Sequence, residues 1–193
     1  MEETRGTVVV LKRRRIKVLL RLTDRRPDAR IGGLIKNVVD AARKDWEPLE
    51  YEGEYPIGGF GISELRPKHI RGGTHNIPST ITWSASIATA STYFSWMDLT
   101  LTDMAYVIVS GVFNLEADPR VTEIAPSANG EDLPTVNLEQ MYGLDLARVW
   151  FEKPFAARPN NNLKIQLVAR DTGVERIGLM GHVIAKRAYL IIR

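Results

Sequence analysis

The three histidines are the residues of this sequence with the broadest chemical use, as metal ligands or as acid–base groups. They are His69, His75 and His182. A metal site on a β-fold needs a close histidine pair, an acidic ligand and a further histidine on a strand. His69 and His75 stand six residues apart in a glycine-rich segment with no carboxylate between them. We therefore predict no metal site and no cofactor, although folding could still bring the three histidines together.

Acidic and aromatic side chains offer a second kind of chemistry. Two groups of acidic residues are candidates for this chemistry. They are the alternating Glu50, Glu52 and Glu54, and the adjacent Glu131 and Asp132. Two carboxylates held at a fixed separation can hydrolyse a glycosidic bond, and Trp83, Trp96 and Trp150 could stack on sugars. A carbohydrate-binding or glycoside-cleaving protein is therefore one alternative. Nothing in the sequence links these acids to the tryptophans, and no nucleophile or nucleotide motif is present, so we predict that the protein is not an enzyme.

Positive charge is concentrated near the N-terminus. Residues 1–45 hold 13 Lys and Arg against 6 Asp and Glu, whereas residues 46–193 hold 13 against 17. A basic segment of this kind contacts phosphates or the acidic surface of a neighbouring subunit. The predicted contact residues are Lys12, Arg13, Arg14, Arg15, Lys17, Arg25 and Arg26. A nucleic-acid-binding module is therefore a further alternative.

Length and composition limit the remaining possibilities. The chain has 193 residues and no cysteine, which excludes disulfide scaffolds, thiolate zinc sites and cysteine nucleophiles. This length is typical of one domain, or of one domain with an appendage. The apolar run Val8–Leu11 is too short for a secretory signal, and we expect no signal peptide. The most apolar segment, residues 104–115, is too short to span a bilayer, so we also expect no membrane span.

The elements that would position these residues are mostly strands. Apolar residues recur at helical spacing over 34–46, and Gly32, Gly33 and Pro48 are predicted to bound that helix. A helical turn is predicted within 136–146, with Asn137 as its cap. The predicted strands are 16–22, 80–87, 92–101, 105–113, 120–125, 147–152, 163–170, 174–184 and 187–192. A hairpin around Asp171-Thr172-Gly173 is predicted to join two of them.

This order of elements predicts a mainly β fold. About eight strands with little helix favour an antiparallel β-sandwich, specifically an eight-stranded jelly roll with a basic N-terminal arm and one short helix. The predicted divisions are an arm over 1–32, a short helix and Gly/Pro-rich strap over 33–76, and the sandwich over 77–193. The predicted core residues are Ile81, Trp83, Ile165, Leu167, Ile177 and Leu179.

The Lys12–Lys17 arm and the segment Phe151-Glu152-Lys153-Pro154-Phe155, which continues through Asn160-Asn161-Asn162 to Ile165, resemble parts of single jelly-roll virion proteins. In that family a loop bounded by proline leads into a core strand late in the chain. The resemblance implies a capsid or capsid-associated subunit that assembles with copies of itself into a shell. It also implies an arm that contacts the genome or neighbouring subunits, and a location in the virion after assembly in the host cytoplasm.

Overall fold

The computed structural model describes residues 22–23, 26–51, 59–70, 74–75, 82–144 and 146–192. Within these ranges the chain is mainly β, and its strands pair antiparallel. The strands are β1 (Leu22–Thr23), β2 (Phe60–Glu64), β3 (Thr74–His75), β4 (Ala85–Ile87), β5 (Phe94–Thr100), β6 (Ala105–Asn114), β7 (Val121–Ala128), β8 (Glu131–Asp132), β9 (Val136–Asn137), β10 (Arg148–Ala157), β11 (Asn162–Ala169), β12 (Gly173–Glu175) and β13 (Ile177–Lys186). The helices are α1 (Asp28–Tyr51), α2 (Glu139–Gly143) and α3 (Arg187–Ile192), with a 3-10 helix at Pro67–Ile70.

Two sheets contain most of the strands. The five-stranded sheet has the order β1-β10-β6-β13-β2, and the six-stranded sheet has the order β3-β5-β11-β7-β8, with β9 also paired to β7. The short strands β12 and β4 form a separate pair. The edge strand β2 comes from the predicted strap and pairs with β13, from Glu64 opposite His182 to Phe60 opposite Lys186.

Side chains from both sheets belong to one hydrophobic core. Its buried members include Val107 from the five-stranded sheet and Ile124 from the six-stranded sheet. The strand β11 alternates regularly between half-buried and buried residues, which is the period-two pattern of a strand with one face on a core. Four predicted core residues are buried and so confirmed: Ile165, Leu167, Ile177 and Leu179. Trp83 is only partly buried against this core, and Ile81 lies outside the described residues.

The predicted hairpin between residues 163–167 and 177–183 is wrong. β11 pairs with β5 and β7 in one sheet, whereas β13 pairs with β6 and β2 in the other. The predicted strand 174–184 is also interrupted at Arg176, whose backbone N–H donates to Glu116 Oε1 at 3.0 Å. The chain therefore crosses between sheets after β11, and a turn of hairpin type does not determine which strands pair across it.

Helix α1 is longer than the predicted helix over 34–46. Gly32, Gly33 and Pro48, which were predicted to bound it, all lie within it. The helix begins after Pro27, whose carbonyl oxygen accepts the N–H groups of Arg30 and Ile31 at 3.0 Å. Glycine inside a helix costs roughly 1 kcal/mol relative to alanine. Ile31, which directly precedes Gly32, is buried and anchors the first turn of α1, and this burial compensates for the cost of the glycine.

One side of α1 packs on the outer surface of the five-stranded sheet. Val38, Ala42 and Trp46 form a second buried cluster with residues of β6 and β13, namely Tyr106, Ile108 and Ile184. The Trp46 ring meets Tyr106 edge-on, with ring centroids 5.5 Å apart. The Trp46 indole N–H also donates to the carbonyl oxygen of Asp103 at 3.2 Å. The apolar stripe of the helix is therefore buried within the chain.

Asn129 and Gly130 have φ values of 57° and 80° and form the tight hairpin turn that connects β7 to β8. Of two further local predictions, one is confirmed and one is wrong. The helical turn α2 forms within 136–146, and the Asn137 side-chain oxygen accepts the N–H of Glu139 at 2.8 Å. Residues 187–192, predicted as a strand, form the helix α3 instead. Tyr189 of this helix is buried in the core, so tertiary packing outweighs the β propensity of the segment.

Candidate functional site

The predicted contact residues fall largely outside the described part of the chain. Lys12, Arg13, Arg14, Arg15, Lys17 and Arg25 are outside it, and Arg26 is the one predicted contact residue inside it. The prediction of a basic contact segment therefore stays a prediction for these six residues. The structure does define the place where the arm joins the rest of the chain.

The arm joins the chain at the edge of the five-stranded sheet. There β1 pairs with β10, with Leu22 opposite Phe151 and Thr23 opposite Trp150. The guanidinium carbon of Arg26 lies 5.5 Å from the centroid of the Trp150 ring, in a cation–π contact. Arg26 Nε also lies 3.0 Å from a carboxylate oxygen of Asp28, at the start of α1. These contacts fix the base of the arm beside β10.

A second arginine attaches the first turn of α1 to the same strand. Arg30 Nη1 donates to the carbonyl oxygen of Glu152 at 2.6 Å and lies 3.2 Å from its carboxylate. Further along the helix, Lys36 and Lys44 are exposed, and Arg43 is exposed with its guanidinium 3.8 Å from Asp40. The outer surface of the five-stranded sheet therefore carries both the base of the arm and the helix α1, in which basic and acidic residues are mixed. The sequence analysis named Trp150 only as a candidate for sugar stacking and gave Glu152 no role, because their contacts with Arg26 and Arg30 depend on strand pairing.

The only acidic side chain that is fully buried among the described residues is Glu175, in β12. Its Oε2 accepts the backbone N–H groups of Arg120 at 2.8 Å and Val121 at 3.1 Å, and its Oε1 accepts the side-chain amide of Asn114. The Asn114 amide also donates to the Tyr142 hydroxyl at 2.9 Å, which in turn donates to the Val121 carbonyl oxygen at 2.6 Å. We call Glu175, Asn114 and Tyr142 the polar hub.

Burial determines the acid–base behaviour of the polar hub. It raises the pKa of Glu175 above the usual range, and the hydrogen bonds from Asn114, Arg120 and Val121 offset part of that rise. Burial also raises the pKa of the Tyr142 phenol. The hub joins the end of β6, the start of β7, the helix α2 and the strand β12. Because Glu175 is fully shielded from solvent, its hydrogen bonds hold these segments to one another inside the chain.

The structure describes two of the three histidine side chains. His69, in the 3-10 helix, is buried, and its Nδ1 accepts the backbone N–H of Arg66 at 3.1 Å. Burial, with the nearby charges of Lys68 and Arg66, lowers the pKa of His69 to about 4. His182 lies on β13 opposite Glu64, and burial lowers its pKa as well. Among the described residues, no three His, Asp or Glu side chains are placed to hold one metal ion.

The three tryptophans named for sugar stacking all have partners inside the chain. Trp96 is buried and donates its indole N–H to the Ser84 carbonyl oxygen at 3.0 Å. Trp83 packs against Trp96, with ring centroids 5.9 Å apart, and Trp150 is covered by Arg26. Glu131 and Asp132 are consecutive on β8, so their side chains point to opposite faces of the strand. The side chains of Glu50, Glu52 and Glu54 lie outside the described part.

Comparisons of the chain with protein-family models, with curated proteins and with solved structures found no match. Within the described residues, no helix combines the length and the apolar character needed to cross a membrane.

Proposed function

We propose that the chain is an eight-stranded jelly-roll subunit that assembles with copies of itself, as a capsid or other shell protein of a virion. The observation that carries this proposal is the order in which its strands pair. A jelly roll is a long antiparallel hairpin rolled into two sheets, so its first strand pairs with its last, its second with its seventh, and so on.

The main strands follow this nested order. Taken along the chain they are β2, β5, β6, β7, β8 with β9, β10, β11 and β13. The outermost strands β2 and β13 pair, as do β5 with β11, β6 with β10, and β7 with β8 and β9. The remaining contacts, β6 with β13 and β7 with β11, place these strands in two four-stranded sets. All four nested pairs expected of a jelly roll are therefore present.

A structural role suits the interior between the two sheets. Jelly rolls also serve as sugar-binding proteins and metalloenzymes, so the fold alone does not select a function. The side chains that point into this interior are mostly aliphatic, such as Val109, Ile124 and Leu163, together with buried aromatic rings such as Trp96 and Phe151. The large polar groups near it, such as Glu175, are used in hydrogen bonds to the chain itself. These features favour a subunit with a filled apolar interior, whose function is to contact other copies of itself.

Light scattering coupled to size-exclusion chromatography, followed by electron microscopy of the purified full chain, tests this proposal. We expect a defined oligomer or closed particles, with assembly increasing with protein concentration. A monomer at all concentrations and salt conditions would contradict it.

The basic arm supports a second function within the same subunit, the binding of nucleic acid. The exposed Lys36 and Lys44 of α1 are accompanied by the exposed Asp40 and Asp45, so the positive charge available to a nucleic acid is that of Lys12–Lys17. Replacing Arg13, Arg14 and Arg15 by alanine should weaken DNA or RNA binding and reduce the slope of log affinity against log salt by up to roughly 3.

A matched control replaces three basic residues elsewhere on the chain by alanine, namely Arg66, Arg158 and Lys164. We expect this variant to keep most of the affinity and of the salt dependence. Equal loss in both variants would mean that net charge, and not the arm, drives binding. No binding of the unaltered protein at low salt would remove nucleic acid as a partner.

A further inference from the structure

One ring nitrogen of His182, Nδ1, is shielded from solvent and has no hydrogen-bond partner among the described residues. Buried polar atoms in native proteins are almost always hydrogen-bonded, so an exception of this kind calls for an explanation. In the protonated form of imidazole both nitrogens are donors. Protonation of His182 would therefore place a donor at Nδ1 that no described acceptor receives. The surroundings of this nitrogen favour the neutral ring.

His182 faces the outer surface of the five-stranded sheet, on which α1 lies. Its paired neighbour on β6 is Ile108, and the next residue of β13 on the same face is Ile184. Both isoleucines belong to the buried cluster that α1 forms with this sheet. His182 therefore lies beside the contact between α1 and the sheet, and not in the core between the two sheets.

The base of the arm occupies the same outer surface. Arg26 lies there above the ring of Trp150, with its guanidinium carbon 5.5 Å from the ring centroid. Trp150 and Met180 both pair with Gly111 of β6, so a single residue without a side chain separates them across the sheet. His182 follows Met180 by two residues on β13. The positive charge of Arg26 therefore acts on His182 across this row.

Two charged groups act on the His182 ring from opposite sides. Arg26 disfavours a positive charge on the ring, whereas Glu64, which pairs with His182 on β2, favours one. The Glu64 carboxylate is exposed and lies 4.0 Å from the guanidinium of Arg66, and the neighbour on β6 is the uncharged Ile108. Burial and Arg26 outweigh Glu64, so together they hold the pKa of His182 below its ordinary value of 6.5.

We propose that His182 is a pH sensor for the base of the arm, and that protonation of its ring weakens the contact of Arg26 with Trp150 and loosens β1 from β10. The proton and the Arg26 guanidinium compete because like charges on one surface repel each other. Asp28 offers Arg26 a second partner when it leaves the ring, since a carboxylate oxygen of Asp28 already lies 3.0 Å from Arg26 Nε.

Linkage determines the direction of the response. Because Arg26 disfavours protonation of His182 in the closed arrangement, protonation favours the open arrangement to the same extent. The base of the arm is therefore held most firmly above pH 6.5 and is loosened progressively as pH falls below that value. Neither assembly of the chain nor binding of nucleic acid is required for this response.

The first test measures the pKa of His182 by nuclear magnetic resonance titration of the full chain. The ring should titrate below pH 6.5 in the wild type. Arg26→Gln should raise this pKa, and Glu64→Gln should lower it, while the pKa of His69 serves as the control and stays unchanged in Arg26→Gln. An unchanged pKa of His182 in Arg26→Gln would overturn the proposal, because the guanidinium and the proton would then not be coupled.

The second test measures opening of the arm base by amide hydrogen exchange at Leu22 and Thr23. After correction for the intrinsic rate of exchange at each pH, opening in the wild type should increase at least about threefold from pH 7 to pH 5. A folded His182→Asn variant should lose this increase. His69→Asn removes the other buried histidine and should keep it. Circular dichroism at both pH values shows whether each variant is folded.

Equal opening of the wild type at pH 7 and pH 5 would overturn the proposal. An increase that persists in folded His182→Asn would also overturn it, since another group would then be the sensor. Loss of the increase in His69→Asn as well would mean that acid acts on the whole fold and not at the base of the arm. If His182→Asn does not fold, the titration of His182 in the wild type and in Arg26→Gln decides.

Discussion

The Tyr189 hydroxyl donates a hydrogen bond of 2.6 Å to the backbone carbonyl oxygen of His69, 120 residues earlier in the chain. This bond joins α3 to the 3-10 helix. The His69 ring is held by a separate hydrogen bond, in which its Nδ1 accepts the backbone N–H of Arg66 at 3.1 Å. An imidazole that accepts through Nδ1 must be unprotonated there, so this site selects neutral histidine. The same burial that lowers the pKa of His69 makes its protonation unfavourable.

Acidification should therefore destabilise the protein through His69. Its folded-state pKa of about 4 lies below the ordinary value of 6.5, so the unfolded chain takes up the proton first. The free energy of unfolding should fall as pH decreases from 6.5 towards 4. His69→Asn keeps an acceptor for Arg66 and removes the titration. Urea unfolding at pH 7 and at pH 4.5 measures this effect. Between these two pH values, we expect the free energy of unfolding to fall by about 1–3 kcal/mol more in the wild type than in the variant. Equal losses in the two proteins would contradict this prediction.

Glu175→Gln should destabilise the fold even though it removes a buried charge. Both carboxylate oxygens of Glu175 accept N–H groups, so either orientation of the glutamine places its NH2 group against a donor. An unsatisfied buried group of this kind costs about 1–3 kcal/mol. Because the folded-state pKa of Glu175 is raised, its contribution to stability is present at low pH and is lost as pH rises above 4.5. We therefore expect Glu175→Gln to lower the free energy of unfolding by more at pH 5 than at pH 8.

The exposed Glu131 on β8 provides the control for this substitution. Glu131→Gln makes the same change of charge at the surface and should alter the free energy of unfolding by less than about 0.5 kcal/mol. A larger loss for Glu175→Gln at pH 8 than at pH 5 would contradict the direction of its pKa shift.

Strand positions could be predicted from the sequence because the core imposes a period of two on β11 and most of β7, and because β6, buried on both faces, is a continuous apolar run. Strand partners could not be predicted in the same way. Asp171-Thr172-Gly173 has the composition of a hairpin turn, yet the chain there crosses between sheets, and Arg176 bonds to Glu116 60 residues away. A local turn signal describes the backbone of a few residues. Pairing depends on which distant segments bury the most surface together.

The candidate site could be predicted only where charge alone marks it. Arg26 was found from the concentration of basic residues, but its partner Trp150 is 124 positions away in the sequence. Glu175 and Asn114 are 61 residues apart and were both missed. The one available signal was a glutamate between Val174 and Ile177 in a predicted strand. A charged residue in such a position is either at an edge or satisfied by hydrogen bonds.

Two glycine substitutions should have opposite effects. A Cβ at Gly181 would lie 1.9 Å from the backbone oxygen of Ile108 on the paired strand β6, so Gly181→Ala forces β6 and β13 apart. We expect Gly181→Ala to lower the free energy of unfolding by about 1–3 kcal/mol or more. A Cβ at Gly33 in α1 would meet no described atom within 4 Å, so Gly33→Ala should gain roughly 0.5–1 kcal/mol from higher helix propensity. Urea unfolding at pH 7 measures both changes. Similar losses for the two variants would contradict the proposed packing at Gly181.

The contact between Arg26 and Trp150 should control how firmly the base of the arm is held. Arg26→Gln removes the cation above the Trp150 ring and leaves the pairing of β1 with β10 as the remaining attachment. A cation–π contact at an exposed site contributes about 0.5–1 kcal/mol, equivalent to a roughly two- to fivefold change in local opening. Amide hydrogen exchange at Leu22 and Thr23 should therefore accelerate by that factor, while exchange in β6 and β13 stays unchanged.

Asp28→Asn removes only the exposed ion pair at the start of α1 and should have a smaller effect. If Asp28→Asn accelerates exchange as much as Arg26→Gln, the ion pair and not the tryptophan contact holds the base of the arm.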